Sequence, residues 1–395
     1  MNLTSFTIGI IGGGQLGKML AYEAFKKGFK IAVLDPDPNA PAMQICHFPI
    51  VDDFDSEEAF LKLIQYADVI TYEFENIEPE LLIYYQNQKP VFPNPDILKI
   101  SKNRNKEKKF VEKYNVAIPK IYPINTIENN RDFIKNLYNN LIETKSDWII
   151  KTSEGGYDGK FQIHFNSSYI ALEEFINHLE GIFGVFKTHQ ISVIIEEKIN
   201  YDFEFSIIAC GYKKTSNEID VVFFPIFINE HKEGILRKTL SLKTFDIPEL
   251  QELKEKIRQI IIDYHYIGLL TMEFFYHKNK IYFNEMAPRP HNSGHLTIEG
   301  CNYSQFEQHI RAISNLPVHP PILLNHAGML NLVSFNKLDK NPKIIEEILK
   351  IEQTYFHYYG KKEPKEKRKM GHITIVNEEE SKLKEILNYL ENLIY

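Results

Sequence analysis

The sequence predicts a mixed α/β and α+β protein: an N-terminal α/β unit, a larger middle unit and a small β-rich C-terminal unit. Three observations predict it. Residues 6–35 read as strand, glycine loop, helix and strand. Residues 268–285 read as two apolar strands joined by a short polar turn. Residues 301–395 carry three more strand-like runs and a closing helix. A chain of 395 residues has material for two or three domains.

Composition excludes several classes. A net charge of −7 argues against a dedicated nucleic-acid binder. Cys46, Cys210 and Cys301 form no zinc spacing and suit a reduced compartment, so a cytoplasmic protein is expected. No apolar stretch approaches a membrane span, and no basic region precedes the first apolar run as in a signal peptide. The partners expected are small molecules rather than nucleic acid or membrane.

The first unit, 1–97, opens with the apolar run FTIGII. Gly12, Gly14 and Gly17 follow in the pattern G-x-G-x-x-G. Such glycines let backbone N–H groups approach an anion at a helix N-terminus. Gly28 ends the helical stretch, and KIAVLD gives a second strand ending in Asp35. Asp35 stands about 20 residues on, where a dinucleotide fold places its ribose carboxylate, so NAD is one reading of this unit. Ser56 is a candidate cap for a helix over 56–67. DVITYEFENI starts as a strand and ends in Glu73 and Glu75, which as strand neighbours two apart would share a face. The prolines of 89–95 mark the first boundary.

The middle unit, 98–300, begins in a charged helical stretch, 96–116, with Arg104 and Lys108 on one face. DWIIK is a strand ending in Lys151, and a glycine-rich loop, SEGGYDGKFQ, comes next. A lysine and backbone donors placed so can cover a triphosphate, although the loop is not a Walker A motif. ISVIIEEKI is a strand whose alternation breaks at Glu196 and Glu197, and FEFSIIACGY is another, carrying Glu204. An amphipathic helix over 249–266 leads into the hairpin. There LLTME ends in Glu273 and IYFNE in Glu285, with Asn284 beside it. The hairpin sets the two carboxylates side by side at one sheet end. Mg²⁺ takes hard oxygen ligands and leaves room for substrate phosphates, so a carboxylate pair suits it. Arg289, His291, Asn292, Ser293 and His295 follow closely, in a loop suited to an anion. In the last unit, 301–395, strands are expected at 327–333, 353–360 and 371–376, and a helix at 378–393. A basic run, 361–371, lies between the last two strands.

Taken together, the lysine after a strand, the glycine lid, the E-E-K-I hinge and the carboxylate pair resemble the ATP-grasp ligases. GGGQLGKML, TYEFENI, KTSEGGYDGK, NEMAPRPHNSGH and the YYGK–RKMGHI tail resemble, within them, the N5-carboxyaminoimidazole ribonucleotide synthetase family. The resemblance spans residues 9–373. It implies an ATP-grasp fold with a Rossmann-like N-terminal (pre-ATP-grasp) domain. It implies a homodimeric carbon–nitrogen ligase of purine biosynthesis that uses ATP, Mg²⁺ and bicarbonate. By that resemblance, Arg104, Lys108, Lys151, Glu196, Glu204 and Asn284 would hold ATP, with the hinge Glu197, Lys198 and Ile199. Glu273 and Glu285 would bind Mg²⁺. Gln15, Leu16 and Glu75 would meet 5-aminoimidazole ribonucleotide, and Lys361 and Arg368 its phosphate. Tyr157 and Asp158 would close over the reacting centre, and Arg289, His291 and Asn292 would bind bicarbonate or carboxyphosphate. The first glycine loop is thereby reassigned from dinucleotide to ribonucleotide. Two departures from the family pattern, Phe161 in the lid and HLT after SGH, touch no residue given a chemical role.

Overall fold

The computed structural model describes residues 5–124, 131–154, 162–185, 192–215, 218–334 and 336–395. The first unit comprises β1 (Thr7–Ile11), α1 (Gln15–Phe25), β2 (Lys30–Leu34), β3 (Phe48–Ile50), α2 (Glu57–Tyr66), β4 (Val69–Tyr72) and α3 (Pro79–Tyr85). Its strands pair in parallel in the order β3-β2-β1-β4. A parallel sheet covered on both faces needs near-continuous apolar strands, and TIGII and KIAVL supply them. Ile8 and Ile10 pack with Leu20 and Ala24 of α1; Ile11 and Leu34 pack with Phe60 and Leu63 of α2. Ser56 caps α2 as expected, accepting from Ala59 N–H.

The charged stretch expected as one helix is two, α4 (Pro95–Ser101) and α5 (Arg104–Glu112). The break has a physical cause. Asn103 adopts extended backbone, and its side chain accepts from the N–H groups of Asn105 and Lys106, which restarts the helix at Arg104.

A small lobe follows: β5 (Ile121–Ile124), α6 (Arg131–Thr144), β6 (Asp147–Thr152), β7 (Gln162–Asn166), α7 (Leu172–Val185) and β8 (Val193–Glu197). Its antiparallel sheet, β5-β8-β6-β7, covers a core around Trp148, Phe175 and Leu179. The lid motif at 155–161, with Tyr157, Asp158 and Phe161, lies outside the described residues.

The large sheet uses β9 (Phe203–Thr215), β10 (Glu218–Phe223), β11 (Phe227–Lys232), β12 (Ile235–Ser241), β13 (Gly268–His277) and β14 (Lys280–Ala287), with α8 (Leu250–Asp263) beneath. After α9 (Thr297–Gly300) and α10 (Gln305–Ile313) come β15 (His326–Val333), α11 (Lys337–Lys340), α12 (Lys343–Leu349), β16 (Thr354–Tyr358), β17 (Lys369–Asn377) and α13 (Glu380–Ile394). The path runs β14-β13-β9-β11-β12-β15-β17-β16, so one sheet continues across residue 300 into the C-terminal strands. Strand alternation sorts its faces. Phe205, Ile207, Met272, Phe274 and Phe283 point down onto Leu253, Ile257 and Ile261. The residues between them point the other way and build the site.

The hairpin forms as expected. Lys278 and Asn279 both take positive φ, 48° and 61°, as a two-residue turn of primed type requires. Glu273 and Glu285 are opposite each other, but in mid-ladder rather than at the sheet end.

Candidate functional site

The first glycine loop is already filled. Gly14 N–H donates to Glu73 Oε1 at 2.7 Å, and Leu16 and Gly17 N–H donate to Oε2 at 3.1 Å. A side chain at Gly12, where φ is +97°, would sit 2.7 Å from Glu73 Cγ. Burial pushes the Glu73 carboxyl up, against the loop donors, Arg289 and Lys361. Asp35 accepts from Gly13 N–H at 2.6 Å and Asp37 N–H at 2.8 Å. These contacts bear on the dinucleotide reading: the N–H groups of Gly14, Leu16 and Gly17 face an internal carboxylate, and Asp35 is a loop brace. Gln15 opens α1 and lines a cavity of about 180 Å³ with Lys18, Tyr22 and His357. Nor do Glu73 and Glu75 share a strand face. β4 ends at Tyr72, and Glu75 turns instead to Arg289 Nε at 3.0 Å.

On the nucleotide side, Arg104 Nη1 donates to Thr152 C=O at 3.1 Å. Lys151 and Lys108 hold the two oxygens of Glu196 at 3.0 and 3.1 Å. Burial disfavours the Glu196 carboxylate, but the two ammonium groups outweigh burial and hold its pKa down to about 2. Glu196 and Lys108 are 2% and 1% exposed and form a buried support behind Lys151. At the end of β8, Glu197 N–H donates to Lys120 C=O and Lys198 N–H to Asp147 C=O, which fixes the hinge that leads to Ile199.

Ser206, Glu273 and Glu285 stand in a row across three strands. Ser206 Oγ and Asn229 Nδ2 donate to Glu273 Oε1 at 3.2 and 3.3 Å. Burial, with Glu204 and Glu285, pushes the Glu273 carboxyl up to about 8. A cluster of hard oxygens with its charges crowded together fits a divalent cation, which relieves that repulsion. Asn284 and Glu285 both serve this face because the ladder slips between them: Phe274 pairs with Phe283, so Asn284 is the extra residue of a bulge. Asn284 Nδ2 donates to Glu204 Oε1 at 3.3 Å.

His231, which the sequence reading does not single out, sets Nδ1 3.0 Å from Glu204 Oε2. Ligand atoms of Glu204, His231 and Glu273 lie within 4.8 Å of one another. Burial opposes the charge of His231, but Glu204, Glu273 and Glu285 outweigh it and lift its pKa to about 9, so the ring stands as a cation against these carboxylates.

The following loop is held from behind by Gln305, which takes His291 N–H at 2.9 Å and donates to His291 C=O at 2.6 Å. His291 Nε2 lies 3.6 Å from Glu273, and burial, with Arg289 and Lys369, keeps the ring well below its usual pKa and neutral. Asn292 is 8% exposed, and neither atom of its amide has a hydrogen-bond partner among the described residues. A buried amide without partners, next to Arg289, suits a small oxyanion.

In the tail, Lys361 and Arg368 are half-buried while Lys365 and Lys367 are exposed. Lys361 Nζ donates to Lys369 C=O at 2.8 Å, and Arg368 Nη1 to Glu363 C=O at 2.8 Å. Lys18 Nζ donates to Tyr359 C=O at 3.0 Å, and Gln44 Nε2 to Gly360 C=O at 3.0 Å. Those bonds bring the tail over the N-terminal unit.

This arrangement of two lobes, hinge and carboxylate row defines an ATP-grasp protein, and the family models agree: an ATP-grasp domain over 109–306, a ribonucleotide synthetase preATP-grasp domain over 5–102, and a phosphoribosylaminoimidazole carboxylase C-terminal domain over 327–386. The N5-carboxyaminoimidazole ribonucleotide synthase of Staphylococcus haemolyticus is 38% identical over 374 residues, covering 94% of this chain and 92% of its own. The ADP-bound N5-carboxyaminoimidazole synthetase of Staphylococcus aureus superposes with a TM-score of 0.84 at 35% identity, over 99% of this chain and 98% of its own. The Aspergillus clavatus synthase, solved with ADP and 5-aminoimidazole ribonucleotide, gives 0.84 at 25% identity, over 99% of each chain. The chain belongs to the N5-carboxyaminoimidazole ribonucleotide synthase family.

Proposed function

We propose that this chain joins bicarbonate to the exocyclic amine of 5-aminoimidazole ribonucleotide with ATP, giving N5-carboxyaminoimidazole ribonucleotide, ADP and phosphate. The observation that carries the reading is the Ser206–Glu273–Glu285 row lying against the loop that presents Arg289, His291 and Asn292. Bicarbonate is a poor electrophile because its carbon bears an anionic oxygen. Its oxygen attacks the γ-phosphorus, ADP leaves, and carboxyphosphate results. The amine then takes the activated carbon, phosphate departs and the amine loses a proton.

Each residue has a part. Arg104, Lys151 and the hinge Glu197–Ile199 bind ATP, with Glu204, His231 and Asn284 at its phosphate side. Glu273 and Glu285 would hold Mg²⁺, which supplies neutralisation of charge on the phosphates. Arg289 and the free amide of Asn292 orient bicarbonate, and neutral His291 donates or accepts without adding charge. Gln15, Glu75, Lys361 and Arg368 hold the ribonucleotide. Tyr157 and Asp158 close over the centre and keep water from carboxyphosphate. We assign these parts to units 1–97, 98–300 and 301–395. Three free cysteines suit a cytoplasmic enzyme, and the family supports a homodimer acting on small molecules.

The test is phosphate release with ATP and Mg²⁺, with and without bicarbonate and the ribonucleotide. Release that depends on both is expected. Release unaffected by either would overturn the reading.

A further inference from the structure

Glu107 has no part in the scheme above. It sits on α5, 2% exposed, and its Oε2 accepts from Met286 N–H at 3.2 Å. The next residue, Lys108, donates to Asn284 C=O at 3.0 Å. These two backbone groups flank Glu285 on either side. The strand they belong to, β14, is the edge of the large sheet, with β13 as its one ladder neighbour among the described residues. The bulge at Asn284 weakens the ladder at the same place, since the extra residue of a bulge has no opposite number. Left alone, a bulged edge would leave the aim of Glu285 loosely set. Two consecutive residues of one helix grip it instead.

We infer that Glu107 is a positioning residue which, together with Lys108, clamps the β14 bulge and aims Glu285 at the bound cation. The inference rests on the metal role proposed for Glu285. Partners behind metal ligands fix the ligand's orientation, and losing one typically weakens metal binding about 10–100-fold. What Glu107 must supply is an oxygen at the right reach rather than a charge.

The test uses the full chain with ADP and Mn²⁺, following Mn²⁺ binding by electron paramagnetic resonance and Met286 amide exchange by mass spectrometry or NMR. Glu107→Gln keeps the oxygen and should bind Mn²⁺ like the wild type. Glu107→Leu keeps the bulk and loses the oxygen. It should weaken Mn²⁺ binding by about tenfold or more and speed exchange at Met286. Ribonucleotide affinity should hold in both. Wild-type Mn²⁺ binding in the Leu variant, with weakened binding in Glu285→Gln, would sink the clamp and spare the metal site. Wild-type binding in Glu285→Gln would sink the metal site itself. Should the Leu variant not fold, Glu107→Asp, which withdraws the oxygen by one methylene, decides: wild-type Mn²⁺ affinity there overturns the proposal.

Discussion

Glu273 and Glu285 face each other in register across β13 and β14, the first buried at 4% exposure and the second open to solvent. The buried one is strongly perturbed: burial, Glu204 and Glu285 hold its pKa up to about 8. The pair therefore divides its work. Glu273 is fixed by Ser206 and Asn229, and Glu285 faces the solvent side.

Glu285→Gln keeps the shape and removes one charge from this site. Being exposed, it should change stability by no more than about 0.5 kcal/mol. Phosphate release should nevertheless fall by about 100-fold or more, because the lost charge acts on the transferring phosphoryl group. Steady-state assays with a thermal melt of each protein read both effects. Wild-type turnover would remove Glu285 from the metal site.

Acid should find Glu196. Its folded pKa of about 2 lies below the ordinary 4.5, so its contribution is full above about 4.5 and is lost as pH falls toward 2. Glu196→Gln leaves Lys108 and Lys151 without their carboxylate and should cost roughly 3–5 kcal/mol at pH 7. The gap between wild type and variant should then narrow between pH 4.5 and about 2. Urea unfolding at a series of pH values measures it. A gap that stays constant with pH would mean that the lysines do not set the Glu196 charge.

Much of this was legible in the sequence because local pattern carried it. The alternation of LLTME and IYFNE, with a polar turn between, yields the hairpin and the Glu273–Glu285 pair. Half-burial separates Lys361 and Arg368 from Lys365 and Lys367, as the resemblance does. What was not legible depends on sheet topology. His231 reaches Glu204 only because β11 lies beside β9, and nothing local in FINEHK announces it. Glu107 and Lys108 lie in a stretch whose local pattern shows only charge, yet α5 lies against the edge of β14 and buries both. The glycine loop misleads for the same reason: Gly12, Gly14 and Gly17 make room for an anion, but that anion is Glu73, from three strands later.

That occupied loop yields a prediction of its own. Glu73 takes the N–H groups of Gly14, Leu16 and Gly17, the donors a pyrophosphate would need there. Calorimetry should find no NAD binding in the micromolar range common for enzyme ligands. Glu73→Ala should destabilise the chain by roughly 2–4 kcal/mol, since it strands three buried donors. Tight NAD binding by the wild type would revive the dinucleotide reading.

The basic tail offers the most discriminating experiment, because most of its charges should do nothing. Lys361 and Arg368 sit half-buried at the two ends of an exposed loop, and Lys18 and Gln44 tie the strap at Tyr359 and Gly360 to the N-terminal unit. Lys361 is also close enough to bear on the Glu73 carboxyl. A phosphate gripped here gains an Arg fork and a Lys charge at close range. Lys361→Ala or Arg368→Ala should raise the KM for the ribonucleotide, since a lost charge-assisted contact costs about 1.5–3 kcal/mol, or roughly tenfold or more. The KM for ATP should hold, because the nucleotide sits between other elements. Lys365→Ala and Lys367→Ala, both exposed, should change neither constant. Equal effects in all four variants would point to a diffuse field rather than a phosphate site. No effect in any of them would return the loop to solvent and leave the ribonucleotide phosphate to be sought elsewhere.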